Sequence, residues 1–324
     1  MSLPLKKVLI AGKVHQDSLY LFDQRKDISY EMIDFPSEQD FIDKLPDCDA
    51  LLLRAMPLPA EALKISTRLK VISRHGVGYD NVPMEIANKM GVPVTIIGNV
   101  NAIAVAEHTL AMMLTLAKQC LQYDHAVRKQ NWAIQNTLAA TELWHKNVLL
   151  VGFGRIGFEV SKRLKAFDAN VFVYDPFLSD EMAAKSGVKR VESLDDALQI
   201  ADYVSLHLPL TSDTANIIDE QSLALMKPSA FIINTARGGL INEDALFDAL
   251  IEKRIKGAGL DTLAQEPLPQ NSKLLSLNNL LLSPHSACLT NECSARMGVS
   301  AVNNVLETFD NTISTELIVN SDKL

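Results

Sequence analysis

Three charged or titratable side chains each follow an apolar run that predicts a β-strand: Arg237, Glu266 and His285. A guanidinium can hold a carboxylate through two parallel hydrogen bonds, and a positioned histidine can transfer a proton near neutral pH. Ligands of open α/β sheets bind at the carboxyl ends of the strands, so we expect the three side chains to share one crevice. Singly, each has an ordinary explanation, as a surface ion pair, a solvated carboxylate or a capping histidine. Together, at successive strand ends, they favour a catalytic set.

A glycine-rich turn lies upstream of these residues. The apolar run 148–151 leads into Gly152, Gly154 and Gly157, and a helical pattern follows. The first glycine permits a tight turn, the second lets the backbone approach a pyrophosphate, and the third lets helix and strand pack closely. The motif therefore predicts a dinucleotide whose phosphates lie at the N-terminus of a helix.

Asp175 ends the next predicted strand, 18 residues beyond Gly157. A carboxylate there accepts hydrogen bonds from the ribose hydroxyls of the adenosine and repels a 2′-phosphate, which selects NAD over NADP. The alternative is that Asp175 and Pro176 only end the strand with turn chemistry. The glycines upstream favour the ribose role.

The elements that position these residues follow from the alternation of β-rich runs and helix-length segments, which is typical of parallel sheets with crossover helices. Residues 101–129 contain neither glycine nor proline and predict one long helix. A final helix is predicted over 291–310, and it could pack on either domain. Strands are predicted at 8–11, 28–33, 50–54, 70–73 and 92–97, and about six more at 148–151, 171–174, 203–206, 231–235, 255–260 and 280–283.

The composition excludes several classes of protein. Apolar residues make up 48% and charged residues 22% of the 324, as in an ordinary globular protein. The formal charge of −8 disfavours nucleic acid and anionic lipid as partners. The four cysteines form no C-x-x-C pair, so neither a disulfide framework nor a metal site is expected, and the cytoplasm is the expected compartment. The N-terminus does not predict a signal peptide, and Glu107 and His108 interrupt the most apolar segment, so no membrane span is expected.

Several longer motifs resemble those of one family. They are HGVGYDNVP at 75–83, AEHTLAMML at 106–114, GFGRIG at 152–157, YDP at 174–176, NTARGG at 234–239 with INEDAL after it, LDTLAQEPLP at 260–269 and SPHSA at 283–287. This run resembles the D-isomer-specific 2-hydroxyacid dehydrogenases, and most closely those that act on D-3-phosphoglycerate. The resemblance extends from about residue 51 to about residue 298.

The resemblance implies roles for individual residues. Arg237, Glu266 and His285 match the family's catalytic arginine, glutamate and acid–base histidine. The backbone of Val77 and Gly78 matches the loop that binds the substrate carboxylate. The remaining histidines His15, His108, His125 and His145 are interpreted as structural. The positions that match contacts to NAD are Gly152, Gly154, Arg155, Ile156, Gly157, Asp175, His207, Thr235, Ala236 and Asp261.

The resemblance also implies the architecture. A Rossmann cofactor domain at 101–290 is expected to be inserted into a flavodoxin-like substrate domain formed by 1–100 and 291–324. Both domains are then α/β, each with a doubly wound parallel sheet. A small 2-hydroxyacid or 2-oxoacid and a second copy of the chain are the expected partners.

The choice of substrate rests on two arginines and on what departs from the family pattern. Arg54 and Arg74 match arginines directed at the phosphate of phosphoglycerate, although either could simply pair with an acidic neighbour. The arginine that often follows the tryptophan of the family by two residues and reaches across the dimer is replaced by Ile134. The sequence His-Ser-Ala-Cys at 285–288 also departs from the His-Leu-Gly-Ala common in phosphoglycerate enzymes.

These observations leave three interpretations. Phosphoglycerate is narrowly favoured as the substrate, and a hydroxypyruvate or glyoxylate reductase is the rival within the family. An NAD-sensing corepressor that binds a protein partner is the alternative outside catalysis, and the acidic chain without interaction tails argues against it. The chain ends at Leu324 without the regulatory domains of longer relatives, so serine feedback through such a domain is not expected.

Overall fold

The computed structural model describes residues 5–324, and these residues form two compact units. The discontinuous unit contains the described residues up to Asn101 together with Leu289–Leu324, and the inserted unit is Ala102–Cys288. The prediction about a signal peptide concerns in part residues 1–4, which lie outside the described residues. No helix within residues 5–324 is long and apolar enough to cross a membrane.

The discontinuous unit is built on a five-stranded parallel sheet. Its strand order is β2-β1-β3-β4-β5, which is the flavodoxin-like order that we predicted. Of the predicted strand 92–97, only two residues pair with a neighbour in the sheet. The elements are β1 (Lys6–Ala11), α1 (Gln16–Asp23), β2 (Ile28–Ile33), α2 (Glu38–Lys44), β3 (Ala50–Leu53), α3 (Ala60–Ile65), β4 (Val71–Arg74), α4 (Met84–Lys89) and β5 (Val94–Thr95).

The inserted unit begins with two helices, α5 (Ala102–Ala117) and α6 (Cys120–Arg128). The prediction of one long helix over 101–129 is therefore wrong. The helix breaks at Gln119, whose φ of 54° lies in the left-handed region that often ends helices. The side chain of Gln119 donates to the carbonyl of Leu116 and so satisfies one group of the helix end. Helix α5 is mostly buried whereas α6 buries only Ala126, so the break marks a change of environment that glycine and proline counts do not reveal.

The rest of the inserted unit is a seven-stranded parallel sheet with crossover helices. Its order β12-β11-β10-β9-β6-β7-β8 contains the dinucleotide-binding order 3-2-1-4-5-6 with one further strand at an edge. The sequence predicted six strands, and the two-residue β8 was too short to give a pattern. The elements are β6 (Asn147–Val151), α7 (Arg155–Ala166), β7 (Asn170–Tyr174), α8 (Asp180–Ser186), β8 (Lys189–Arg190), α9 (Leu194–Ile200), β9 (Tyr203–Leu206), α10 (Glu220–Leu225), β10 (Phe231–Asn234), α11 (Glu243–Ile251), β11 (Gly257–Leu260) and β12 (Leu280–Leu282).

Both faces of this sheet are covered. Leu149 and Val151 pack with α9, α10 and α11 on one face, while Val148 and Leu150 pack with α5 and α7 on the other. Because both faces are buried, the strands read as continuous apolar runs rather than as alternating ones. This explains why the sequence located the central strands well.

The last helix of the chain, α12 (Asn291–Phe309), belongs to the discontinuous unit. Thr290 caps it by accepting a hydrogen bond from the backbone N–H of Cys293 at 3.1 Å. The helix packs on α1 and on strands β3 and β4. The helical pattern alone had left its location open, whereas the family resemblance had implied that residues 291–324 belong with residues 1–100.

Candidate active site

The glycine-rich turn after β6 is shaped by close backbone contacts. Gly152 has a φ of 99°, and a Cβ atom there would lie 2.7 Å from the carbonyl oxygen of His207. A Cβ at Gly157 would lie 2.5 Å from the carbonyl oxygen of Gly152. At Gly154, by contrast, a Cβ would meet nothing within 4 Å. The turn is therefore tight on its protein side and open at the N-terminus of α7, which fits the approach of a pyrophosphate.

Asp175 lies beside this turn, directly after β7. Its Oδ2 accepts a hydrogen bond from the N–H of Phe153 at 2.7 Å, and its Oδ1 accepts one from Phe177 at 2.8 Å. A carboxylate oxygen can accept two hydrogen bonds. Each oxygen thus retains acceptor capacity of the kind that a ribose diol requires, and the carboxylate also braces the glycine-rich turn.

Strands β9 and β10 bring three further predicted cofactor residues to the same edge of the sheet. His207 follows β9, and its Nε2 lies 3.0 Å from Ser205 Oγ. Burial lowers the pKa of His207 to about 3, so its imidazole is neutral at ordinary pH. After β10, Thr235 Oγ1 lies 2.9 Å from Thr109 Oγ1 on α5, and the N–H of Ala236 donates to the side chain of Asn234 at 3.0 Å. The sequence did not single out Asn234, Thr109 or Ser205.

Arg237 occupies a tight turn next to the loop that carries Glu266. It is half-buried, and its Nη1 donates to the carbonyl of Ala236 at 2.6 Å. A Cβ on Gly238, the next residue, would lie 1.9 Å from the carbonyl carbon of Leu263. Only glycine fits there, so the Arg237 turn and the loop after β11 touch through their backbones.

His285 and Glu266 form a direct pair. Nδ1 of the imidazole lies 2.8 Å from Oε2 of the carboxylate, and Oε1 accepts a hydrogen bond from the N–H of Leu263 at 2.9 Å. The side chains are 47% and 38% exposed. Because Nδ1 faces Glu266, Nε2 is the nitrogen that can exchange a proton with a ligand.

Asp261 has a different environment from the other predicted cofactor residues. Its side chain is fully buried, and it accepts hydrogen bonds from the hydroxyl of Ser283 and from the N–H groups of Ser286 at 2.8 Å and Ala287 at 3.0 Å. His108 Nε2 lies 3.0 Å from Ser283 Oγ and 3.5 Å from Asp261 Oδ1. In this structure Asp261 holds the segment 283–287 that carries His285.

The predicted substrate residues lie in the discontinuous unit, at the carboxyl ends of β3 and β4. The buried guanidinium of Arg74 donates to the carbonyls of Leu53, Arg54 and Gly78, so it ties the end of β3 to the loop after β4. Arg54 donates to the carbonyl of Lys13 at 3.2 Å. Sequence reasoning did not indicate that Arg74 organises this loop.

The loop itself leaves donors available. Within residues 5–324, the backbone N–H groups of Val77 and Gly78 have no hydrogen-bond acceptor, and both residues are half-exposed. His75, just before them, is 6% exposed and neither of its ring nitrogens has a partner in the described part of the chain. Burial, together with the positive charge of Arg54, lowers the pKa of His75 to about 4. The chemistry of this loop suits an anion.

Groups of three or more metal-ligating side chains are not found among residues 5–324. The site residues thus form two sets, one in each unit. In the inserted unit the turn after β6, Arg237, Glu266 and His285 all lie at the carboxyl edge of the sheet. In the discontinuous unit Arg54, Arg74, Val77 and Gly78 lie at the carboxyl edge of the other sheet.

Comparisons with known proteins address the family directly. Residues 110–287 match the model described as D-isomer specific 2-hydroxyacid dehydrogenase, NAD binding domain. The D-3-phosphoglycerate dehydrogenase of Mycobacterium tuberculosis is 38% identical over 306 residues, which are 94% of this chain and 57% of that protein. A glyoxylate reductase of Korarchaeum cryptofilum is 34% identical over 275 residues, which are 84% of this chain and 82% of the relative. A crystal structure of a protein from Thermus thermophilus has a TM-score of 0.86 at 30% identity and covers 94% of this chain and 97% of that one.

These matches confirm the resemblance, the fold class and NAD as the cofactor. The chain spans a little more than half the length of the phosphoglycerate dehydrogenases that it matches, 57% for the M. tuberculosis protein. Both substrate interpretations that the sequence left open occur among the relatives.

Proposed function

The chain belongs to the D-isomer specific 2-hydroxyacid dehydrogenase family, and from this premise we propose that it catalyses NAD-dependent hydride transfer between a 2-hydroxyacid and its 2-oxoacid. The observation that carries the proposal is the His285–Glu266 pair, 2.8 Å apart, on the same sheet edge as the glycine-rich turn. A half-exposed imidazole oriented by a carboxylate is the arrangement expected of a general acid and base.

Each residue has a defined part in the proposed reaction. The glycine-rich turn after β6 and Asp175 would hold NADH, which would supply the hydride for the carbonyl carbon of the 2-oxoacid. Nε2 of His285 donates a proton to the carbonyl oxygen, and Glu266 orients the ring through Nδ1. Arg237 binds the substrate carboxylate and polarises the carbonyl. In the discontinuous unit, the N–H groups of Val77 and Gly78 are donors suited to a carboxylate. The products are the 2-hydroxyacid and NAD, and oxidation follows the same steps in reverse.

For the substrate we propose D-3-phosphoglycerate and 3-phosphohydroxypyruvate. The supporting observation is that no carboxylate pairs with Arg54 within residues 5–324, so this positive charge is not neutralised by the protein. Burial is the main cause of the lowered pKa of His75, and the positive charge of Arg54 adds to it, so that charge acts at this strand end. A phosphate dianion is the kind of group that such a charge attracts.

The second candidate is a hydroxypyruvate or glyoxylate reductase. Its support is the glyoxylate reductase of K. cryptofilum, which this chain matches over most of both lengths. Ile134, at the position where the family often has an arginine, also favours a substrate without phosphate.

Turnover decides between these substrates. Purified protein should oxidise NADH with 3-phosphohydroxypyruvate at a higher kcat/KM than with hydroxypyruvate or glyoxylate. The Arg54→Ala variant should raise KM for the phosphorylated substrate about 10- to 100-fold and leave the two small oxoacids almost unaffected, since they have no phosphate to lose. Arg68→Ala is the matched control, because it removes the same charge at the amino ends of β3 and β4, where Arg68 pairs with Asp49.

Other results of these turnover assays would support the two alternative functions. A wild type that prefers glyoxylate, or an Arg54→Ala variant that treats all three alike, supports the general reductase. Binding of NADH without turnover of any 2-oxoacid supports the corepressor-like interpretation.

We also propose that the protein acts as a cytoplasmic homodimer. The support is the family resemblance and a set of exposed apolar side chains on α6 and the segment after it. These are Leu121, Val127, Trp132 and Leu138. Light scattering on the purified chain tests this assembly, and a monomeric mass at micromolar concentration contradicts it.

A further inference from the structure

A second histidine–carboxylate arrangement lies in the inserted unit, and the proposed reaction does not use it. It comprises His108 on α5, Ser283 after β12, and the buried Asp261 after β11. His108 Nε2 is 3.0 Å from Ser283 Oγ, and the same hydroxyl contacts Asp261 Oδ1. The sequence had suggested only a structural role for His108.

The direction of the hydrogen bonds in this arrangement follows from the donor inventory. An ionised carboxylate only accepts, so the Ser283 hydroxyl donates its proton to Asp261. The hydroxyl oxygen can then accept from His108, which places a proton on Nε2 of that imidazole. The three groups thus form one chain of hydrogen bonds, in which His108 donates to Ser283 and Ser283 donates to Asp261.

Asp261 in turn determines the backbone on both sides of His285. Its side chain accepts from the N–H groups of Ser286 and Ala287, and its carbonyl accepts from the N–H of His285 at 2.8 Å. Between these anchors His285 has a φ of 51°, a left-handed conformation that is unfavourable for a residue other than glycine. A segment held in an unfavourable conformation depends on the contacts that hold it.

Helix α5 provides the fixed end of this chain. Ten of its residues are buried, and the neighbour of His108, Thr109, bonds Thr235 after β10. His108 therefore connects a buried helix to the segment that carries the proposed acid–base histidine.

We propose that His108 is a positioning residue for the reaction, holding His285 on Glu266 through Ser283 and Asp261. This inference rests on the proposed function, since it concerns the placement of the proton donor. It assigns His108 no contact with substrate and no proton transfer of its own.

Three variants test the proposal. His108→Leu removes the donor at similar volume, His108→Gln retains an amide donor at nearly the same reach as Nε2, and Ser283→Ala breaks the next link. We expect His108→Leu to lower kcat about 10- to 100-fold, the size of effect that small misplacements of a reacting group produce. KM for NADH should stay near the wild-type value, and the pH profile of kcat should change.

The controls distinguish positioning from a general loss of structure. His108→Gln should restore most of kcat, and the His108→Leu, Ser283→Ala double variant should be no worse than the more impaired single variant, because both break one chain. His125→Leu, on the exposed face of α6, is the matched histidine control and should behave as wild type. A His108→Leu variant that loses thermal stability but keeps the kcat and pH profile of wild type overturns the proposal.

Hydrogen exchange gives a readout that does not depend on turnover. The amides of Ser286 and Ala287 should exchange faster in His108→Leu, whereas those of the β6 and β9 strands should not change. Equal exchange in wild type and His108→Leu overturns the inference. Absence of turnover in the wild type with every 2-oxoacid overturns the proposed function instead, and local loss of protection then still shows that His108 holds the segment.

Discussion

The two histidine–carboxylate pairs of the inserted unit have the same chemistry but opposite surroundings. In the His285–Glu266 pair the side chains are 47% and 38% exposed, and the carboxylate accepts one backbone hydrogen bond besides the histidine. In the His108–Asp261 pair they are 27% and 0% exposed, and the carboxylate accepts from two backbone N–H groups and a hydroxyl. The exposed pair can exchange a proton with a ligand, whereas the buried pair is saturated by its own protein.

The exposure and hydrogen bonding of the carboxylate separate a chemical role from a structural one in these two pairs. A buried carboxylate is tolerated only when it is fully hydrogen-bonded, so removing its charge leaves donors unsatisfied in the interior. When a half-exposed carboxylate is replaced, water can accept the hydrogen bonds that the carboxylate accepted. Substitutions in the exposed pair should therefore reduce the rate with little loss of stability, whereas removal of the buried carboxylate should reduce stability first.

The largest effect is expected at the exposed pair. His285→Gln should lower kcat about 10²- to 10⁴-fold, because a positioned acid–base group contributes this much. Its midpoint of unfolding should stay near that of wild type, and NADH affinity should change little. Steady-state turnover and thermal unfolding on the same preparations check both. Turnover near the wild-type rate would assign the proton transfer to another group.

The buried pair should respond in the opposite sense. Asp261→Asn turns one acceptor oxygen into an amide that faces a backbone N–H or a hydroxyl, so we expect a loss of about 2–4 kcal/mol in the free energy of unfolding. Urea unfolding measures it. Glu266→Gln is the matched control, and its free energy of unfolding should fall by less than about 1 kcal/mol, since water can solvate the groups that the half-exposed carboxylate contacted. Equal losses of unfolding free energy in Asp261→Asn and Glu266→Gln would contradict the distinction between a structural buried pair and a chemical exposed pair.

His75 is a buried histidine that pairs with no carboxylate among residues 5–324, and it should change how stability depends on pH. The folded-state pKa of His75 is lowered to about 4, mainly by burial and then by the charge of Arg54. The unfolded chain therefore binds a proton between about pH 6.5 and pH 4 that the folded chain does not, so stability falls as pH falls through this window. In His75→Leu, the slope of the free energy of unfolding against pH should be smaller by about 1.4 kcal/mol per pH unit within this window. Urea unfolding at several pH values tests this, and a slope equal to that of wild type contradicts the burial of a neutral imidazole.

The smallest effect concerns a carboxylate without a histidine. Asp175 should disfavour NADPH, whose 2′-phosphate would approach a like charge, and it also holds the N–H of Phe153. Asp175→Ala should narrow the preference for NADH over NADPH. It should also weaken the binding of NADH about tenfold, because the loss of about one charge-assisted hydrogen bond has an effect of this size. Asp175→Asn keeps an acceptor for Phe153 and separates the two contributions. Wild-type protein that binds NADPH as tightly as NADH contradicts this role.

Much of the fold could be predicted from the sequence because its strands are buried on both faces. Runs such as 148–151 and 231–235 stand out from the helices that separate them. Strand β8 could not be predicted, since two residues at a sheet edge give no period. The break at Gln119 also escaped, because it follows from the change between a buried and an exposed helix rather than from a glycine or proline.

The site divides in the same way. Arg237, Glu266 and His285 could be grouped from the sequence because each follows a strand, and parallel strands bring their carboxyl ends to one edge. The hydrogen-bond chain from His108 through Ser283 to Asp261 could not, since its two links join residues that are 175 and 22 positions apart. Its only sequence signal is two adjacent titratable residues, Glu107 and His108, within an otherwise apolar helix. The bonds of Arg74 to three carbonyls likewise depend on tertiary structure.

The most direct test of the central claim is the pH dependence of NADH oxidation in a single turnover with a saturating 2-oxoacid, measured for wild type and His285→Gln. If His285 donates the proton, the wild-type rate should fall as the pH rises, and the variant should be slow and independent of pH. A variant that follows the wild-type profile at a similar rate would contradict the assignment of the exposed pair to chemistry.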